Sequence, residues 1–305
     1  MRTMKLGTSN LEVPVIAVGC MRINSLEKNE AERFVQSALD AGANFFDHAD
    51  IYGGGKCEEI FSEAIHMNDD IREKIILQSK CGIRKGMFDF SKEHILESVD
   101  NILKRLKTDY LDILLLHRPD ALVEPEEVAE AFDLLESTGK VRHFGVSNQT
   151  PMQIQLLKKS VKQPLVANQL QLSITNSTMI SNGMNVNMLN ESAVNRDSNV
   201  LDFCRLNDIT IQPWSPFQYG FFEGVFLGNE KFPELNLKID EIAAKYEVSN
   251  TTIAIAWLLR HPARMQPVTG TTTIERLMDC CKAADVHLTR QEWYEIYRAA
   301  GNVLP

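Results

Sequence analysis

Apolar positions along the chain alternate between two textures. Short runs rich in Val, Ile, Leu and Phe, with little polar alternation, occur at 15–18, 44–47, 75–80, 111–117, 141–147, 166–170, 209–214 and 267–269. Such near-continuous runs fit strands buried on both faces, as in a parallel sheet. Between them lie segments with helical spacing. Residues 27–41 place Ala31, Phe34, Val35 and Ala38 on one stripe and stop at Gly42. Residues 91–107 open on Ser91, with Glu93 and His94 in the first turn. Their stripe is Ile95, Val99, Ile102, Leu103 and Leu106, and basic residues fill the last turn, as the helix dipole favours. Residues 126–138 present Val128, Ala131, Phe132 and Leu135 before Gly139, a glycine suited to ending a helix. Pro151 is tolerated at the first position of a helix over 152–162. Further helical patterns cover 239–246, 251–260, 274–283 and 290–299.

Eight strand–helix units share 305 residues, about 38 each, with no Pro-, Gly- or Ser-rich linker between them. The pattern predicts an α/β fold, a closed (β/α)8 TIM barrel occupying residues 1–305 as a single domain. A doubly wound open sheet is the alternative. Residues 4–7 and 11–14, joined by 8–10, read as an N-terminal β-hairpin, and 290–299 as an extra C-terminal helix. The Asn-, Ser- and Met-rich stretch 173–199 is irregular. It reads as a long loop or partly ordered insertion after the sixth strand, placed where it could border the cofactor or substrate opening.

Composition narrows the function classes. Hydrophobic residues make up 44% and charged ones 24%, ordinary for a protein that buries a large core. The net charge of −9 argues against nucleic acid and against a basic membrane-binding surface. The apolar runs 113–116 and 253–259 fall far short of the ~20 residues a bilayer span needs. The first ten residues, MRTMKLGTSN, lack an apolar signal core, so a cytoplasmic location is expected. Six scattered cysteines form no CxxC pair and read as reduced, mostly buried thiols.

In a barrel, chemistry gathers at the C-terminal ends of the strands. The second strand ends in Asp47, with Tyr52 five residues on; the third ends in Lys80 and the fourth in His117. Later strands add Ser147 and Asn148, then Gln169, then Trp214 and Ser215. The eighth runs into VTGTTTIER, a Gly-Thr turn opening directly into a helix, with Arg276 nearby. Backbone N–H groups and hydroxyls at a helix start suit a phosphate. No GxGxxG follows a strand, and no His/Cys spacing suggests a metal, so none is assigned.

The segments FFDHADIYG, LQSKCG, LLLHRPD, GKVRHFGVSN, NQLQ, PWSPF and VTGTTTIERL together resemble the aldo-keto reductase superfamily, in particular a bacterial group described as uncharacterised oxidoreductases. The resemblance covers essentially the whole chain. It implies a (β/α)8 barrel that binds NADP(H) without a Rossmann fold, and a catalytic tetrad on Asp47, Tyr52, Lys80 and His117. Tyr52 would protonate the developing alkoxide, and a charged Lys80 anchored by Asp47 would lower the phenol pKa. His117 would hydrogen-bond the carbonyl oxygen. By the same resemblance Ser147, Asn148 and Gln169 would hold the nicotinamide carboxamide, and Trp214 would stack on its ring. Met21 belongs to the same cofactor set. Ser215, Phe217 and Gly220 lie on the segment that would pass the pyrophosphate. Gly270, Thr271, Thr272 and Arg276 form the end that would meet the 2′-phosphate, so NADP(H) is favoured over NAD(H).

Three features depart from the family pattern. Gly270 stands where many members have Lys, Cys280 where an Asn often meets the adenine, and Phe217–Tyr219 where close relatives are glycine-rich. The expected partner is a small-molecule carbonyl substrate. Phe88, Phe90, Tyr219 and Phe222, with Met179 or Met184, are candidates for an apolar substrate lining. The oligomeric state is left open between a monomer and a weak oligomer. The alternative function is an NADP(H)-binding sensor or interaction protein with little turnover, like channel β-subunits of this fold. A barrel hydrolase or isomerase would need a metal cluster or a carboxylate base, and neither stands out.

Overall fold

Eight parallel strands close on themselves in chain order in a computed structural model that describes residues 1–304. They are Ala17–Gly19, Phe45–Asp47, Ile76–Cys81, Leu111–Leu116, Val141–Ser147, Leu165–Gln171, Thr210–Trp214 and Val268–Thr269. All eight predicted runs are present, shifted by at most two residues at either end. Helices wrap the outside. Lys28–Asp40, Lys92–Leu106 and Pro125–Ser137 lie where the periodicity put them. Ser91 caps the second of these by accepting from the His94 N–H, and Lys107 ends it in the left-handed conformation. The (β/α)8 architecture, the N-terminal hairpin and the C-terminal helix Arg290–Ala299 are therefore all observed.

Some boundaries differ. The helix expected over 152–162 stops at Leu157, and the one expected from 239 begins at Pro233, whose fixed φ suits a first turn. Helix Lys56–Ala64 was not legible, because it follows Gly53–Gly55, all three with positive φ, and its stripe is only nine residues long. Helices Asp69–Arg72, Thr178–Met184 and Val200–Leu206 are likewise too short to show a period.

Strand residues sort by parity into two cores. Phe46, Leu77, Leu114 and Leu116 point outward into the main cluster shared with the helices. Phe45, Ile76, Ile113, Leu115, Ala167 and Val268 point inward and fill the barrel axis together with Leu6 and Val13 of the hairpin. The hairpin, Thr3–Lys5 paired with Glu12–Pro14, thus plugs the N-terminal mouth. Gly7 makes this approach possible. Its φ is +54°, and a Cβ there would lie 2.3 Å from the Val166 carbonyl oxygen. Its N–H donates to Thr210 Oγ1 at 2.8 Å, and its carbonyl accepts from Arg264 at 2.9 Å.

At the same end Arg72 is buried, paired with Asp112 at 2.7 Å and donating to the Ile75 and Tyr110 carbonyls. Arg72 and Arg142 each stack on the Tyr110 ring at 3.7 Å. Stretch 173–199 folds onto the C-terminal helix rather than over the barrel mouth. Tyr297 Oη donates to Ser181 Oγ, and Asn185 donates to the Val303 carbonyl. No helix among the described residues is long and apolar enough to cross a membrane.

Candidate active site

The inward parity of the strands stacks chemistry in layers. Above the apolar plug lies a layer of amides, Gln78, Gln169, Gln212 and Gln266, all buried. The Gln266 amide nitrogen donates to the Pro14 carbonyl at 2.7 Å, which leaves its oxygen to accept from Gln212 at 2.9 Å. The Gln212 oxygen then accepts from Gln78 at 2.9 Å and from Gln169 at 3.3 Å. Both of those amides also donate to Asp47 Oδ1, at 2.6 Å and 3.1 Å. A backbone carbonyl can only accept, so its position sets the orientation of every amide up to Asp47.

Asp47 presents its other oxygen to Lys80, whose Nζ lies 2.8 Å from Oδ2. Lys80 is fully buried and spends its remaining donors on the His48 carbonyl at 2.7 Å and on Tyr52 Oη at 3.1 Å. Burial by itself pulls the Lys80 pKa down, but Asp47 and Tyr52 outweigh it, so the ammonium is held above the ordinary lysine value. Tyr52 departs from the expectation. Lys80 does pull its pKa down, yet burial is the larger effect and Asp47 adds to it, so the phenol is raised rather than lowered. The ring stays protonated at neutral pH.

His117 stands edge-on to Tyr52, ring centroids 6.0 Å apart. Burial, with Lys80 and Arg118 nearby, holds its pKa well below the usual value, so the imidazole is neutral. Its Nδ1 is buried without a hydrogen-bond partner among the described residues. His48, one residue after Asp47, is also neutral. Burial takes its pKa down to about 3, and it packs edge-on against Phe61. Only its carbonyl enters the site.

Tyr52 and His117 open into a cavity of about 360 Å3 at the C-terminal end of the barrel. Of the expected residues, Met21, Asp47, Ser147, Asn148, Gln169, Trp214, Ser215, Phe217, Gly270, Thr271, Thr272 and Arg276 also line it. Ser147, Asn148 and Trp214 are tied together. Trp214 Nε1 donates to Asn148 Oδ1 at 3.2 Å, Asn148 Nδ2 donates to Ser147 Oγ at 2.8 Å, and Ser147 donates to the Gln169 carbonyl. Asn148 and Ser215 both have positive φ, 58° and 51°, where their strands break off into the cavity wall. Lys80 lies beneath the cavity rather than on its surface.

Several expectations are corrected. Gly220 does not line the cavity; its carbonyl accepts from Gln171 at 2.6 Å, because the chain has already turned away in the short hairpin Gln218–Tyr219/Gly224–Val225. Cys280, a departure from the family pattern, is fully buried and does not line the site cavity. Among the aromatic and Met candidates, Phe222 alone lines the cavity, stacked on Trp214 with centroids 5.9 Å apart. Phe90 is buried in the outer core, and Tyr219 packs on Phe232. Met179 and Met184 line a separate cleft against Trp293, so 173–199 does not border the site cavity. It reaches the site's outer layer where Ser173 and Thr175 both donate to the Gln218 carbonyl.

Arg22 and Arg118 line the cavity and were not expected. The signal was adjacency. Arg22 follows Met21, and Arg118 follows His117 just after its strand ends at Leu116, where in–out alternation no longer applies.

Comparison with known proteins agrees with this geometry. The model of the Aldo/keto reductase family matches residues 15–300. An uncharacterized oxidoreductase of Bacillus subtilis, YcsN, is 34% identical over 304 residues, covering 95% of each chain. A 6-dehydroglucose reductase of Agrobacterium fabrum is 33% identical, covering 96% of each. The crystal structure of the thermostable aldo-keto reductase Tm1743, in complex with the inhibitor epalrestat, superposes with a TM-score of 0.78 at 25% identity, covering 98% of this chain and 100% of that one. By barrel and sequence, the chain belongs to the aldo/keto reductase family.

Proposed function

We propose that the chain reduces aldehyde and ketone carbonyls to alcohols with NADPH, Tyr52 acting as the general acid. Family membership and the oxidoreductase relatives support carbonyl reduction with a nicotinamide cofactor. The observation that carries the finer reading is the buried chain Asp47–Lys80–Tyr52, with Nζ 2.8 Å from the carboxylate and 3.1 Å from the phenol oxygen.

The cavity suits the cofactor at both ends. At one end Gln169 Oε1 has no hydrogen-bond partner among the described residues and would accept from a carboxamide N–H, with Ser147 and Asn148 beside it. Trp214 offers an aromatic face for the nicotinamide. At the other end helix Ile274–Lys282 opens without a side-chain cap, and Thr271, Thr272 and Arg276 stand at its start. That N-terminus and guanidinium would hold the 2′-phosphate. Bound there, the reduced nicotinamide supplies the hydride that adds to the carbonyl carbon.

The residues of the chain manage the oxygen. An ammonium has no lone pair, so Lys80 donates to Tyr52 Oη and the phenol's own proton is free to face the cavity. A proton on His117 Nδ1 would be a buried donor without an acceptor, which assigns it to Nε2, on the side that lines the cavity. His117 then donates to the carbonyl oxygen and orients it. As charge develops there, Tyr52 gives up its proton, and Lys80 stabilises the phenolate left behind.

Two variants test this with nicotinamide absorbance and cofactor titration. Tyr52→Phe should lower kcat/KM for a reactive aldehyde by about 10²–10⁴-fold while leaving NADPH binding nearly intact. Turnover within a few-fold of wild type removes Tyr52 as the acid. Arg276→Ala should weaken NADPH about tenfold or more beyond its effect on NADH; equal losses for both refute the 2′-phosphate assignment.

A further inference from the structure

The cavity is electropositive although the whole chain carries −9. Asp47 is the single carboxylate among its described lining residues, and Lys80 already holds that carboxylate from below. His117 is neutral. Arg22 and Arg276 both stand at the Gly270–Arg276 end, where Arg22 donates to the Gly270 carbonyl at 3.1 Å. Arg118 is different. It sits beside His117 and Trp214, at the end of the cavity where the carbonyl would be held.

Arg118 is half-buried, and among the described residues it has no ion-pair or hydrogen-bond partner. Its guanidinium lies 5.6 Å from the centre of the Trp214 ring, so one face is turned to an aromatic surface and its donors remain unspent. Burial pushes its pKa down, against a smaller opposing pull from Tyr52. A partly desolvated guanidinium without an acceptor is costly, and a planar fork of N–H donors matches a carboxylate.

We propose that Arg118 selects the substrate by binding an anionic group on it, so that the preferred substrates are carbonyl compounds carrying a carboxylate near the reacting carbonyl. This rests on the reading that the cavity reduces carbonyls beside Tyr52 and His117. It makes Arg118 a specificity residue, with no part in hydride or proton transfer.

Matched substrates separate charge from shape. The 2-, 3- and 4-carboxybenzaldehydes carry the carboxylate at different distances from the aldehyde, and their methyl esters remove the charge. Wild type should prefer at least one acid over its ester by about tenfold or more in kcat/KM, and that preference should fade with added salt. In Arg118→Leu the acid should lose about 10- to 100-fold, mainly through KM, and the preference for acid over ester should shrink to within about threefold. Arg118→Lys, which keeps the charge and loses the fork, should fall between. Absence of any acid preference in wild type, or equal losses for acid and ester in Arg118→Leu, overturns the proposal.

Equilibrium binding decides it without turnover. Isophthalate should bind wild type more tightly than dimethyl isophthalate by calorimetry, and Arg118→Leu should erase the difference. If no aldehyde is reduced but isophthalate binding follows Arg118, the proposed activity fails and the anion site stands. If esters are reduced while isophthalate does not bind, the activity stands and the anion site fails.

Discussion

The amide layer beneath Asp47 makes a sharp prediction for Gln78→Leu. Leucine fills nearly the same volume and removes three hydrogen bonds, the 2.6 Å donation to Asp47 and the 2.9 Å and 3.0 Å exchange with Gln212. A bond to a charged group contributes about 1.5–3 kcal/mol and a neutral one about 1 kcal/mol, so roughly 4 kcal/mol is lost. Apolar burial of the new side chain returns about 1 kcal/mol, leaving a net destabilisation of about 3 kcal/mol. At about 2–4 °C per kcal/mol, Tm should fall by roughly 6–12 °C. Asp47 Oδ1 keeps only the 3.1 Å bond from Gln169, so the carboxylate, and with it Lys80 and Tyr52, loses its shorter brace. A misalignment costing about 1.4–2.7 kcal/mol in the transition state lowers kcat by about 10- to 100-fold. The assay is thermal unfolding alongside steady-state reduction of one aldehyde, with NADPH affinity as the control for an intact cavity. A Tm drop below about 2 °C together with kcat within twofold of wild type would refute the argument that the amides hold Asp47 in place.

Two stability predictions follow from buried charges. Burial and the neighbouring Glu58 raise the Asp50 carboxyl to about 7 despite Arg105, so the folded chain keeps a proton there that the unfolded chain releases near pH 4. Stability contributed by this group therefore falls as pH rises from about 4 and is fully lost above about 7, so Asp50→Asn should raise Tm at pH 8 and leave it unchanged near pH 4, read by thermal unfolding across pH. Equal effects at both ends of the range would contradict this. Arg72→Met leaves buried Asp112 only the Leu77 N–H at 2.9 Å and the more exposed Arg142 at 3.4 Å, and should cost about 3–5 kcal/mol in urea unfolding while kcat stays within about twofold, since the pair lies at the opposite end from the cavity. A cost below about 1 kcal/mol would show that Asp112 does not depend on Arg72 to offset the cost of its burial.

How much of this was legible follows from what each signal depends on. The eight runs and the long helices were readable because burial on both faces, or along one stripe, is a local property of the sequence. The strand-tip residues Asp47, Lys80 and His117 were readable because a polar side chain ending an apolar run stands out, and Tyr52 because it follows at short range. The parity of the strands was not, since Phe45 and Phe46, or Ile76 and Leu77, are equally apolar although one of each pair faces the barrel axis and the other the helices. Gln78, Gln212 and Gln266 read as ordinary polar residues, and only closure of the barrel brings residues up to 188 positions apart in the chain into one hydrogen-bonded layer.

The same division holds for the chemistry. From the sequence alone came the barrel, the identities of the strand-end groups and the family pattern, all of which depend on residue type and spacing. The tertiary structure alone decided the direction of the Tyr52 pKa, because burial, which outweighs Lys80, is set by what packs around the ring. It also decided that 173–199 leans on the C-terminal helix, that Gly220 turns away, and that Arg118 stands in the cavity without a carboxylate. Each of these depends on which distant segments meet, and a one-dimensional pattern carries charge and period but not neighbours.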